Sequence, residues 1–560
     1  MRIARALGLS GAVATLSLTL TGCIGGGTIL PSDGPTPPPP PSELPATAWT
    51  RADAASVSEG GDLHLAVTSF PLTFNTYLAS GIEADTRSIV APTTGGPLII
   101  DEYGVAELDE DYASSVEVTS RDPLVVEIEL NPSAVWEDGT PITVADYEAT
   151  WRALNGVDDT YRPASTVGYE DIASVQAGAD EFDVLVTFSR PFVDWESLLT
   201  GVVKESIASD PAVFNEGFDA IGMPSSGPFV FTEIDSDAQV VILERNPLWW
   251  GETPKLDRIL FKAVSQDQQG SSFANGEVDA LYISSNADLY ETAQTVDGAD
   301  IQATNGLTWT HVTMNAKEGP LSDVNVRKAV ASIVNREQIS AAANTPVGVP
   351  AVTQGDYIFM AGQEGYEDAA LPYDTEAGAA FLEEAGYTKD GDSWVKDGEP
   401  LELSVTVPAD TATNIQRAEQ VQADLGEFGI PVELVSVPVA GYFSDYVIPG
   451  DFEMVSFSWV GTAFPISSSE PLFYPLDSEQ NFTATTDEAL GDLWDQANAE
   501  LDPEARIEIA NEINETIWGY VPMFPIAPLP NVWAVQDGLV NYGATQFETI
   551  DWTLVGWAAE

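Results

Sequence analysis

Leu401, Leu403, Val405 and Val407 alternate with polar neighbours, the period of a half-buried strand. Ala418, Val421, Leu425 and Phe428 then recur at helical spacing, and a second apolar run extends from Ile430 to Val437. This order predicts a βαβ unit with parallel strands and a right-handed crossover. Ligands of open α/β sheets collect outside the carboxyl ends of strands, so Pro408 to Thr413 is the expected rim of a cleft. Further strands are predicted at Leu124 to Leu130, Val184 to Phe188, Val240 to Leu243 and Ile259 to Val264. One helix is expected from about Val324 to Ile339. Another opens at Asp502-Pro503, an N-cap with proline at the first helical position, and carries Ile507, Ala510, Ile513 and Ile517 on one face. The chain therefore reads as mixed α/β.

The N-terminus follows a different pattern. Arg2 and Arg5 precede an apolar stretch from Ala6 to Leu20 that is too short for a comfortable membrane span, and Leu20-Thr21-Gly22-Cys23 follows. This resembles the lipobox of bacterial lipoproteins, in which the cysteine is acylated and becomes mature residue one. After Cys23 come Gly25, Gly26 and Gly27, then Pro31, Pro35 and Pro37 to Pro41, with almost nothing to join a core. A spacer of about thirty such residues reaches roughly 100 Å at about 3.1 Å per residue. Expected boundaries are therefore a signal at 1–22 and an acylated, Gly/Pro-rich linker at 23–58.

The 560 residues carry 21 basic and 88 acidic side chains, a formal charge of -67. Such a surface repels nucleic acid and anionic lipid, and because the acids are spread along the whole chain they are read as a solubilising surface rather than a cation site. The single cysteine excludes an intramolecular disulfide. His64 and His311 are the only histidines, which excludes a histidine-rich zinc site. Phosphate-loop, nucleophile-elbow and complete calcium-loop motifs are absent. Glu107, Asp109, Glu110 and Asp111 lack calcium-loop spacing and are read as a solvated loop. No cofactor, metal or catalytic residue is expected, and a carboxylate-based hydrolase stands as a distant third reading.

Six stretches then recur in one order: Ala134 to Asp146 (AVWEDGTPITVAD); Ser226-Gly-Pro-Phe229; Leu243 to Gly251 with Pro254-Lys-Leu-Asp257; Phe273 to Ala280; Met314-Asn315 with Pro320 to Ala329; and Phe381 to Tyr387. Together they resemble the family 5 extracytoplasmic solute-binding proteins of ABC importers, the group of dipeptide, oligopeptide and nickel binders. The wording Phe457 to Pro465, with Val193-Asp-Trp195, is similar to a high-GC Gram-positive branch, some of whose members are linked to envelope glycolipid metabolism. The resemblance implies an α/β, two-lobed periplasmic-binding-protein-like fold (type II, cluster C) with a subdomain inserted in the first lobe. Lobe I is expected at 59–310 with the insertion at about 99–215, lobe II at 311–525, and a return to lobe I at 526–560.

Most of the recurring residues read as structural: Asp138-Gly139 as a turn before a helix opening near Thr143, and Trp249-Trp250 as packing. The ligand candidates lie instead in Thr68 to Asn75 (Ser69, Phe70), at Trp309 and His311, and in Ser456 to Pro465 (Trp459, Thr462, Phe464). Peptide-binding members of the family place an aspartate three residues after the tryptophan, where it holds the peptide ammonium. Here Thr462 stands in that place, and a buried ammonium without its carboxylate is costly. The resemblance implies a non-enzymatic, monomeric binding component, anchored through Cys23 at the extracytoplasmic face of the cell membrane, which takes a small-molecule or peptide-like ligand and docks on permease subunits. The alternative is an envelope regulatory lipoprotein that binds a glycolipid or partner protein without transport.

Overall fold

The computed structural model describes residues 44–559, so the expected signal, Cys23 and the Gly/Pro-rich stretch to residue 43 lie outside the described residues. Residues 44–58 do not continue as a tether. Thr47 bridges Thr545 and donates to Glu548 Oε2 at 2.6 Å, Val57 bridges Ala558, and Trp49 is buried. Trp49 and Val57 supply apolar area that the proline run lacks, which is enough to lay this segment on the C-terminal residues.

Two large sheets organise the chain. The first has seven strands in the order Asp300–Thr304, Asn531–Val535, Ala280–Tyr282, Asp62–Val67, Arg258–Ala263, Val240–Arg245 and Phe229–Asp235. Asp62–Val67 buries every second residue (Leu63, Leu65, Val67) and runs parallel to Arg258–Ala263. The second sheet orders Val432–Val437, Leu403–Pro408, Met454–Val460, Thr308–Met314 and Met523–Pro528. Its first two strands are the predicted βαβ unit, parallel and joined by the helix Ala412–Phe428, which ends at Gly429 with φ of 95°. Each sheet has its own core, one around Phe229, Leu243 and Phe261, the other around Val421, Phe473 and Trp494. The fold is thus two-lobed. A third, four-stranded antiparallel sheet between Ala113 and Phe188 is inserted in the first lobe with the helix Val144–Leu154. Thr143 and Asp146 form the capping box that starts this helix, and Gly139 makes the preceding turn at φ of 84°.

The chain passes from the first large sheet to the second between Thr304 and Thr308 and returns between Pro528 and Asn531. The two crossovers are stitched together by Leu529 N–H donating to Thr308 O at 2.8 Å. Gly306 permits that approach, because a Cβ there would stand 2.3 Å from Leu529 O. One expectation is corrected. The helix predicted over 324–339 is two helices, Val324–Ile333 and Arg336–Asn344. Val334 is extended at ψ of 124°, and the Asn335 side chain accepts from Gln338 N–H and starts the second helix; asparagine is among the best residues for that position.

Candidate functional site

Away from the crossovers the lobes meet again, along one edge of the inserted subdomain. Arg506 Nη1 and Nη2 donate to Asp194 Oδ1 and Oδ2 at 2.7 and 2.6 Å, and the two side chains are only 14% and 6% exposed. Val193 N–H donates to Asn498 O at 2.8 Å, and Gln480 Nε2 to Ala164 O at 3.0 Å. Arg190 binds Asp171 and Glu170 of its own lobe and Asp495 of the other.

On the first lobe, the strand Asp62–Val67 delivers Thr68, Ser69 and Phe70 at its carboxyl end. Asp85, in the first turn of the helix Ala84–Val90, accepts from Thr68 N–H and Ser69 N–H at 2.9 Å each and from Ser69 Oγ at 3.3 Å. Burial raises the pKa of Asp85 above the ordinary carboxylate range. The same cause, reinforced by Asp85, pushes Glu83 up to about 7. Phe70 stands edge-on to Phe74 at 6.3 Å. Tyr282 is 40% exposed, yet desolvation raises its phenol; Arg87 is exposed, yet desolvation lowers its guanidinium.

On the second lobe, Met454–Val460 lies antiparallel to Thr308–Met314 with Trp459 opposite Trp309 and Phe457 opposite His311. Trp459 stacks on Phe482 at 5.7 Å and on His311 at 6.1 Å, and its Nε1 is buried without an acceptor. Trp309 and His311 are 4% and 0% exposed and pack beneath Trp459. His311 Nδ1 meets Thr313 Oγ1 at 3.1 Å, while its Nε2 has no partner among the described residues. Burial, and then Arg417, holds the His311 pKa well below its ordinary value, so the imidazole is neutral. Thr462 Oγ1 accepts from Phe464 N–H at 3.0 Å and donates to Ser468 Oγ at 3.0 Å, a local turn ahead of the helix Pro465–Ser469. Trp309, His311 and Trp459 thus form one group, Thr462 and Phe464 follow beyond the end of the same strand, and Ser69 and Phe70 stand with Asp85 on the first lobe.

Arg417 was not among the residues singled out from sequence. It is 7% exposed on the helix Ala412–Phe428, and Nη1 donates to Asn414 Oδ1 at 2.7 Å and to Ser456 Oγ at 3.1 Å. Ser456 Oγ in turn donates to His311 O at 3.2 Å. The buried guanidiniums of Arg327 and Arg336 each donate to several backbone carbonyls, through more than one nitrogen. Arg417 has two neutral oxygens on a single nitrogen and, among the described residues, no carboxylate within ion-pair distance. Burial lowers its pKa to about 10, which leaves it charged at neutral pH. Its spacing with Val421 and Leu425, i, i+4 and i+8 on the apolar face, is the sequence signal that marks it as buried.

The profile of the bacterial extracellular solute-binding proteins, family 5 (middle region), matches residues 107–482. The oligopeptide-binding protein OppA of Mycobacterium tuberculosis is 33% identical over 559 residues, spanning 97% of this chain and 92% of its own. The probable monoacyl phosphatidylinositol tetramannoside-binding protein LpqW of the same organism is 24% identical over 350 residues, 57% of this chain and 54% of its own. Among solved structures, the periplasmic EDTA-binding protein EppA superposes with a TM-score of 0.81 at 26% identity, covering 92% of this chain and 99% of its own.

Proposed function

This chain belongs to the bacterial extracellular solute-binding proteins of family 5, non-enzymatic components of ABC transporters, and we propose that it captures a peptide-like, carboxylate-bearing ligand in a cleft between its lobes. Arg417 carries the reading. A buried guanidinium with no anionic partner is costly to desolvate, and a ligand carboxylate supplies the missing charge through short, charge-assisted hydrogen bonds. Trp459, with Phe482 stacked on it, gives an aromatic surface on the same strand as Ser456, the hydroxyl that Arg417 holds, and Phe464 follows beyond the end of that strand. Lobe I contributes Ser69, Phe70 and the acids Asp85 and Glu83 to the proposed cleft. The relatives' names agree in chemistry, one being oligopeptide-binding and one EDTA-binding, and both ligands carry carboxylates.

Thr462 does not hold the ligand's ammonium, since its hydroxyl is engaged with Phe464 N–H and Ser468. Ligand favours the closed arrangement of the lobes about the paired crossovers near 304–308 and 528–531, and the Asp194–Arg506 contact fastens them. Cys23 anchors this monomer by lipid at the extracytoplasmic face of the cell membrane, where the closed form docks on its permease. The likeness to LpqW favours a second reading, an envelope regulatory lipoprotein that binds a glycolipid, but it covers 57% of the chain against 97% for OppA. The test is calorimetric titration with tetra-alanine, its N-acetyl form and its C-terminal amide. Amidation is expected to weaken binding tenfold or more while acetylation changes it little; equal affinity for acid and amide contradicts the assignment.

A further inference from the structure

Another acid is sealed into the contact between the inserted subdomain and the second lobe. Glu470 opens the short turn Glu470–Leu472 and is 8% exposed. Its Oε2 accepts from Asn498 Nδ2 at 2.8 Å, and Oδ1 of the same amide is buried with no donor among the described residues. Asn498 also takes the cross-lobe hydrogen bond from Val193 through its backbone oxygen. The acids facing Glu470 are Asp495, on the helix Ala489–Ala499 of its own lobe, and Glu170 and Asp171 of the subdomain. The neighbouring cations are committed, Arg190 to Asp171, Glu170 and Asp495, and Arg506 to Asp194.

We propose that Glu470 and Asn498 form a proton-linked latch: the closed lobes hold Glu470 as the neutral acid, and its deprotonation loosens the contact between subdomain and second lobe. An ionised carboxylate only accepts, so it leaves Asn498 Oδ1 without a donor. The neutral acid carries one O–H, which can donate to that oxygen while the other carboxyl oxygen keeps the amide N–H. Burial outweighs the Asn498 N–H, which favours the ionised form, and with the like charges of Glu170, Asp495 and Asp171 pushes Glu470 up to about 8 from an ordinary 4.5. Closing therefore binds a proton that the parted lobes release. Closure is favoured at low pH, loses up to about tenfold in its equilibrium constant per pH unit as pH rises toward 8, and levels off above that. Asp171, raised to about 6 by burial despite Arg190, adds to the dependence only near and below pH 6.

This inference rests on the closure of two lobes but not on the identity of the ligand. The test is small-angle X-ray scattering of the full chain without ligand, at constant ionic strength, from about pH 6.5 to 9.5. Wild type is expected to expand with rising pH and reach a plateau above about 8. Glu470→Gln, whose amide keeps both hydrogen bonds to Asn498, is expected to stay compact throughout. Glu170→Gln removes an exposed like charge outside the packing and should reach its plateau at lower pH. A wild-type particle of constant size overturns the proposal, as does a Glu470→Gln curve that follows wild type or a Glu170→Gln curve that does not shift. Failure of peptide binding in a separate titration would count against the ligand assignment and leave these curves to be judged on their own.

Discussion

Replacing Arg417 by methionine is predicted to make the ligand-free protein more stable and to abolish its preference for carboxylate-ended ligands. Burial lowers the pKa of Arg417 from its ordinary value to about 10, which corresponds to a cost on the order of 3 kcal/mol for holding the charge. Its two hydrogen bonds to Asn414 and Ser456 offset about 1 to 2 kcal/mol of that. Methionine is unbranched and fits an irregular site, and Ser456 keeps its bond to His311 O. The expected net gain is about 1 kcal/mol, read as a higher urea midpoint with an unchanged slope in the tryptophan-fluorescence transition. With a ligand carboxylate in place the balance reverses. Charge-assisted hydrogen bonds contribute about 1.5 to 3 kcal/mol, roughly tenfold to more than a hundredfold in affinity. Calorimetry should show tetra-alanine preferred over its amide by that factor in wild type and not at all in Arg417→Met. A variant that loses more than about 1 kcal/mol of stability while keeping the preference refutes the reasoning, since the arginine would then be a structural strut.

Thr462→Asp should preserve the local turn, because a carboxylate also accepts from Phe464 N–H, and should add roughly tenfold or more in affinity for peptides with a free over an acetylated N-terminus; titration of the two forms checks this. Trp459→Ala, which removes the ring stacked on Phe482 and His311, should weaken tetra-alanine binding at least tenfold, and unaltered binding would remove Trp459 from the ligand wall. Asp194→Asn leaves Arg506 buried without its partner and should cost the closed form about 3 kcal/mol or more, seen as faster ligand release in stopped-flow fluorescence. Cys23→Ala should abolish incorporation of radiolabelled lipid and release the chain from the membrane fraction.

What was legible beforehand was what repeats locally. The βαβ unit from 401 to 437 shows in its periods because one face of each strand and helix is buried, and the Asp502-Pro503 start shows because capping chemistry is confined to a few residues. The break at Val334 did not show: Val324 to Ile339 keeps apolar spacing through it, and only Asn335 marks the restart. Of the site, Trp459, Thr462, Phe464, Trp309, His311, Ser69 and Phe70 were singled out, and the sheet pairing brings Trp459, Trp309 and His311 together, with Thr462 and Phe464 just beyond the strand. That His311 is sealed from solvent depends on Phe457 and Trp459, which lie about 150 residues away in sequence. Arg417 was legible in principle from its place on an apolar face, yet a lone charge in an acidic helix reads first as solvated. The Asp194–Arg506 and Glu470–Asn498 pairs join elements from distant parts of the chain, and no local period encodes such contacts.

The central claim, that the lobes enclose a carboxylate-bearing small molecule, is tested most directly by native mass spectrometry of the protein isolated gently from its own cells, wild type beside Arg417→Met. One small ligand per wild-type chain is expected, of a mass that fits a peptide-like molecule with a free carboxylate, beside a bare Arg417→Met chain. An equal adduct on both proteins, or a wild-type chain that carries only a glycolipid or a partner protein, would contradict it.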